Sequence, residues 1–166
     1  MENPERSYRE NVRHFRDLRD STMQIETPNK ELNLAFEWAK VAYDNLLVDN
    51  PDVGIGLVAG LGASGTGGRP GFGWFFSGDA YINSFSINSY GEFKTVRDAL
   101  AFTQKWQRED GKMSHELTQA VAYVNWWKDY PYGYIHGDTS PFYVCAMEDY
   151  VKMSGDIEFA KQSWSS

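Results

Sequence analysis

Residues 68–83 read GRPGFGWFFSGDAYIN. A glycine- and proline-rich loop carries Phe72, Trp74, Phe75 and Phe76 up to Ser77-Gly78-Asp79, and an apolar-periodic run then extends from Ala80 to Tyr90. Such a run is a helix, and its start receives several rings and one carboxylate. Rings stack on the apolar faces of ligands, and a carboxylate accepts hydrogen bonds from hydroxyls. Asp is equally a common helix N-cap, stabilised there by free N–H groups and the helix dipole. Asp79 is therefore either a ligand contact or a cap beneath a hydrophobic plug.

Outward from this stretch the pattern recurs. The helix after Asp79 stops at Gly91, and Phe93, Val96, Leu100 and Ala101 continue as a second helix to about Arg108. Further on, the aromatic loop Tyr130-Pro-Tyr-Gly-Tyr134 leads to Gly137-Asp138-Thr139-Ser140-Pro141, which opens a helix running to Met153. Ser154-Gly155-Asp156 closes that helix and caps the next, Ile157 to Trp164. A repeated helical hairpin is the mark of an α-helical array, in which each unit buries its face on a neighbour. The spacing also predicts a helix over 1–20, with Tyr8, Val12, Phe15 and Leu18 as a narrow stripe. Another helix starts at Thr27 as N-cap and Pro28 as first residue and runs to about Val48, ended by Asn50-Pro51. His115-Glu116 opens a last periodic stretch, Leu117 to Trp127. No strand pattern is visible. The expectation is one all-α domain, 1–166, with an N-terminal helical segment at 1–26 and a long exposed glycine-rich loop at 51–77.

Residues 51–73 hold nine glycines, and Gly60–Gly68, GLGASGTGG, imitates a phosphate loop. It lacks the Gly-Lys-Ser/Thr ending, and no following lysine is placed to reach a phosphate. A loop this long is more often functional than accidental.

Composition narrows the classes. The chain has 166 residues, 42% of them hydrophobic and 16% aromatic, enough for a sizeable core. Net charge is −7, and no basic run interleaves with the aromatics, which argues against nucleic acid and anionic membranes as partners. The single cysteine, Cys145, lies in an apolar helical stretch and reads as a buried small hydrophobe; it permits no disulfide framework, and no metal cluster or cofactor motif is visible. The first thirty residues are too charged for a signal peptide, and no run of about 18 apolar residues suggests a membrane span. A reducing, cytoplasmic setting is expected.

Three ordered segments, RPGFGWFFSGDAYI, GKMSHELTQ and GYIHGDTSPFYVCAMEDYVKMSGD, resemble the amylo-α-1,6-glucosidase-like glycoside hydrolases. These are the glucosidase part of glycogen debranching enzymes, within the glucoamylase-like six-hairpin group. The resemblance covers roughly residues 27–164. It implies the first part of an (α/α)6 toroid, with inner helices starting at Asp79 and Asp138 and their loops lining a sugar pocket. It implies inverting hydrolysis of α-glucosidic bonds by a carboxylic acid and an opposing carboxylate about 6.5–9.5 Å apart. In relatives both lie later than the Asp-Thr-x-Pro helix, beyond this chain. Asp79 matches the family's sugar-holding aspartate, with Gly78 where the family carries arginine, and Phe76 takes the place of a sugar-stacking tryptophan.

The substrate-binding candidates are thus Asp79, Trp74, Phe76, Glu116, His136, Asp138 and Tyr134. Each has a bland alternative. Asp138 is also good capping chemistry, Glu116 an ordinary first-turn acid, and His136 a satisfied structural histidine. Trp74, Phe76 and Tyr134 also suit core or lid packing. Within the chain an acid–base set would need Asp79, Glu116 and Asp138, with Glu116 and Asp138 as the catalytic candidates. The expected partners are an oligosaccharide or α-glucan, and a second copy or another chain covering the apolar edge that an incomplete ring leaves. A non-catalytic carbohydrate-binding or assembly module remains the alternative to a hydrolase segment.

Overall fold

The computed structural model describes residues 3–61 and 72–164. The Gly62–Gly68 part of the glycine-rich run, and with it most of the imitation phosphate loop, lies outside the described residues, as do Arg69, Pro70 and Gly71. Among the described residues there are seven helices and four short strands. The chain is mostly helical.

Two helical hairpins form the body. In the first, α3 (Ser77–Tyr90) is followed by α4 (Phe93–Lys105), with Gly91 between them as C-cap. In the second, α6 (Thr139–Ser154) is followed by α7 (Ile157–Ser163), with Gly155 closing α6 and the Asp156 carboxylate accepting from the Phe159 N–H to start α7. The hairpins lie side by side with like helices parallel. Tyr81 meets Tyr143 near the starts of α3 and α6, with ring centroids 5.8 Å apart. Near their ends, Asn88 Nδ2 donates to Asp149 Oδ2 at 2.7 Å. Arg97 of α4 lies 3.4 Å from Asp156, and Ser163 of α7 donates to Gln104 of α4 at 3.4 Å. Ile87, Val96, Leu100 and Ala146 between the hairpins are completely buried. The repeat read from the two Gly-Asp starts is therefore a repeat of packing.

A second core sits at the end where α3 begins. Here β1 (Leu47–Asn50) pairs antiparallel with β2 (Gly54–Leu57), and β3 (Phe75–Phe76) with β4 (Glu116–Leu117). Val53, Val58, Phe75, Phe102, Leu117 and Trp126 fill this core. Gly56 is needed for it, because a Cβ there would stand 2.8 Å from Phe102 Cδ1.

Several expectations are corrected. The strands exist, since 47–50 and 54–57 satisfy their backbone groups across a three-residue turn; the helix before them, α2 (Lys30–Asp44), ends at Asp44 rather than Val48. Its N-cap is Asn29, whose Oδ1 accepts from the Glu31 and Leu32 N–H groups. Thr27 instead bonds the Asn33 side chain. The segment 51–77 is only in part an exposed loop, with Val53, Leu57, Val58 and Phe75 buried. No helix forms over 117–127: Leu117 belongs to β4, turns follow, and only α5 (Trp126–Asp129) is helical. Helix α4 ends at Lys105, not Arg108. α1 (Pro4–Ser21) buries only Leu18 of its stripe, and Tyr8 is 70% exposed. Cys145 is exposed, because α6 buries the stripe Thr139, Tyr143, Ala146 and Tyr150, which does not include it. No described helix is long and apolar enough to cross a membrane.

Candidate functional site

The segment 112–117 ties together the starts of α3 and α6. The Ser77 N–H donates to the His115 carbonyl at 3.0 Å, and the Ser77 and Ser114 hydroxyls lie 3.2 Å apart. On the other side the Met113 N–H donates to Ser140 Oγ at 3.0 Å, and Thr139 Oγ1 donates to the Met113 carbonyl at 3.1 Å. The His115 N–H reaches the Gly133 carbonyl at 2.7 Å, which fixes the 130–136 loop to the same segment. Lys112 Nζ adds bonds to the His136 carbonyl and to Thr139 Oγ1. These polar ties bring both helix starts to one end of the molecule.

Strand alternation then sorts the side chains. The pair Phe75 and Leu117 points into the second core, and the pair Phe76 and Glu116 stands on the other face. His115 meets the Phe76 ring edge to face, with centroids 5.6 Å apart. It stacks on His136 with centroids 3.8 Å apart and planes within 6°. His136 Nδ1 lies 3.4 Å from Asp138 Oδ1, and Phe72 extends the aromatic surface, 6.0 Å from Phe76. His136 and Asp138 are more than half exposed at their side chains.

Asp79 lies in the first turn of α3, not at the cap, which is Phe76. Partial burial raises its carboxyl above the ordinary value, opposed by a backbone hydrogen bond and the attraction of His115. Burial is also the main reason the His115 imidazole is held below its usual pKa; neighbouring His136 adds to this, and Glu116, Asp138 and Asp79 oppose it. Stacked imidazoles cannot both take a proton cheaply, so at neutral pH His115 offers one N–H donor and one bare nitrogen.

Two expected members, Trp74 and Tyr134, are placed elsewhere, and a third, Glu116, lies beside the cluster but buried. Glu116 is 3% exposed, while its strand partner Phe76 is half-buried; the Glu116 Oε2 lies 3.6 Å from His115 Nε2. The His115 side chain, 19% exposed, is more open than this carboxyl. Trp74 turns toward the second core, edge-on to Trp126 at 5.2 Å and to Tyr130 at 6.5 Å. Tyr134 points away from His136, its hydroxyl donating to the Trp106 carbonyl at 2.9 Å and its ring stacked on Trp127. Asp79, Phe76, His136 and Asp138 do come together, joined by His115 and Phe72. In the sequence His115 stands out only as the neighbour of Glu116.

No group of His, Cys, Asp or Glu among the described residues is arranged to hold a metal. The surface offers two carboxylate acceptors, imidazole nitrogens and an aromatic face, a set that suits a neutral polyhydroxyl ligand with an apolar side. No protein-family model, curated protein or solved structure matches this chain.

Proposed function

We propose that the common end of α3 and α6 binds the end of an oligosaccharide of the α-glucan class, with Asp79 and Asp138 accepting from sugar hydroxyls and Phe76 lying against the ring. The observation that carries this reading is the convergence of Phe76, His115, His136, Asp79 and Asp138 at the starts of two parallel helices. The resemblance to amylo-α-1,6-glucosidase-like hydrolases points to the same end of the same helices. On this reading the chain is a cytoplasmic segment of an inverting α-glucosidase, part of an (α/α)6 toroid. Its acid and base belong to residues outside this chain. Further helices, from a second copy or another chain, cover the apolar groove of about 490 Å³ bordered by Val144, Met147, Val151 and Trp164. Val144 is 65% and Trp164 89% exposed there, and a light-scattering mass above one chain is expected.

The burial of Glu116 removes one candidate acid or base from the surface, so the chain by itself also reads as a non-catalytic sugar-binding module. Glucose release from maltotriose and panose tests whether the acid and base lie outside this chain. Turnover lost in Asp79→Asn, Glu116→Gln or Asp138→Asn would show a complete site within this chain. Saturable binding without turnover supports a binding segment, and neither binding nor turnover rejects both readings.

A further inference from the structure

The loop 130–136 has two sides. His136 turns to His115, while Tyr134, two residues earlier, turns to the opposite side and helps enclose an open cleft of about 610 Å³, within the range of about 300–1,000 Å³ usual for ligand pockets. Trp127, Tyr130, Pro131 and Tyr134 form its apolar wall, and Gln107, Arg108 and Glu109 its polar rim.

The wall is rigidly built. The Tyr134 ring stacks on Trp127 with centroids 4.6 Å apart and planes within 25°, and its hydroxyl is anchored on the Trp106 carbonyl. The Arg108 guanidinium covers the ring at 5.1 Å. Gly133 lets the loop close on the indole, because a Cβ there would stand 2.7 Å from Trp127 Cζ3. Trp127 is nevertheless 38% exposed.

The chemistry of the cleft selects a class of ligand. Arg108 is already neutralised by two hydrogen bonds to Asp110, Nε to Oδ1 at 2.8 Å and Nη2 to Oδ2 at 2.7 Å. Glu109 adds a negative charge to the same rim, so the cleft is not cationic and does not suit a phosphate or another anion. Tyr134 has Trp127 against the ring and Arg108 over it, which leaves no slot for a flat base between rings. What remains is the exposed part of the Trp127 indole and the Pro131 ring beside an amide and a carboxylate. That combination suits the C–H patch and the hydroxyls of one sugar ring.

We infer that the Trp127–Tyr134 cleft is a second sugar-binding site, taking a pyranose unit on the far side of the loop from the His115–His136 surface. This rests on the reading of the chain as an oligosaccharide binder, and the two are separable by experiment. Maltotriose is titrated into the full chain while the Trp127 indole ¹⁵N–H signal and the His115 and His136 ring signals are followed by NMR. Trp127→Phe and His136→Gln serve to assign the signals.

Saturable shifts of both sets are expected, and Glu109→Gln, a surface change, should weaken the indole response at least threefold and leave the histidine response unchanged. Histidine shifts with a stationary indole overturn the second site and leave the proposed function standing. Indole shifts with stationary histidines keep the cleft and overturn the helix-start site. No shift of either at tens of millimolar maltotriose overturns both.

Discussion

The common end of α3 and α6 exists only if the two helices stay parallel and in register, and the Asn88–Asp149 bond is the polar lock on that register. Asn88 is 1% exposed, and its Nδ2 donates to Asp149 Oδ2 at 2.7 Å. A hydrogen bond to a charged group contributes about 1.5–3 kcal/mol. The other half of the Asn88 amide, Oδ1, is buried without a hydrogen bond, so removing the side chain also relieves a desolvation cost of about 1–3 kcal/mol. Asn88→Ala should therefore cost little, about 1 kcal/mol. Asp149→Ala leaves the whole buried amide unsatisfied and should cost more, about 2–3 kcal/mol.

Urea unfolding of both single variants and the double variant gives the coupling, expected at about 1–2 kcal/mol. In a chain of this length each kcal/mol also moves Tm by about 2–4 °C. A coupling below about 0.3–0.5 kcal/mol, the range of independent sites, or Asn88→Ala being the worse single change, would refute the parallel lock.

The other expectations concern the second core, the start of α3 and the histidine pair. Gly56→Ala drives a methyl to within 2.8 Å of the Phe102 ring and should destabilise by about 1–3 kcal/mol in denaturant unfolding. Gly78→Ala is the opposite case: its Cβ meets nothing within 4 Å and its backbone is helical, so the change should stabilise by about 0.4–1 kcal/mol in the same assay. His115 has a folded pKa below its unfolded value of about 6.5, so folding excludes its proton. Its contribution is therefore complete above about pH 6.5 and is lost as pH falls from there through the lower folded value. Unfolding free energy measured from pH 8 to pH 5 should fall on the acid side, and His115→Phe should flatten that limb.

The helical hairpins were readable because period, stop and cap agree in them. Gly91 and Gly155 end helices, and the Asp156 side chain caps α7 as its position implies. The strands were not, because Gly54-Ile-Gly-Leu57 has little intrinsic strand character and β3 and β4 are two residues each. Their pairing is set by the second core. Leu117, Val121 and Val124 imitate a helical stripe, yet Val124 is exposed and the chain there turns rather than coils. In the candidate site, the placement of Asp79 and Asp138 at two helix starts is legible because each follows an aromatic loop into a helix. Tyr134 lies apart from His136 because a turn, closed by the Ile135 N–H on the Tyr132 carbonyl, sends the two to opposite sides. No spacing in the sequence records that choice.

The most direct test of sugar binding at the helix starts is calorimetric titration of the full chain with maltotriose, beside Asp79→Asn and His136→Ala, each checked for native unfolding. Saturable binding to the parent chain, with the helix-start component weakened at least tenfold by either change and the Trp127–Tyr134 component retained, is the predicted result. Equal affinity in all three proteins, or no binding by the parent at millimolar maltotriose, would contradict it.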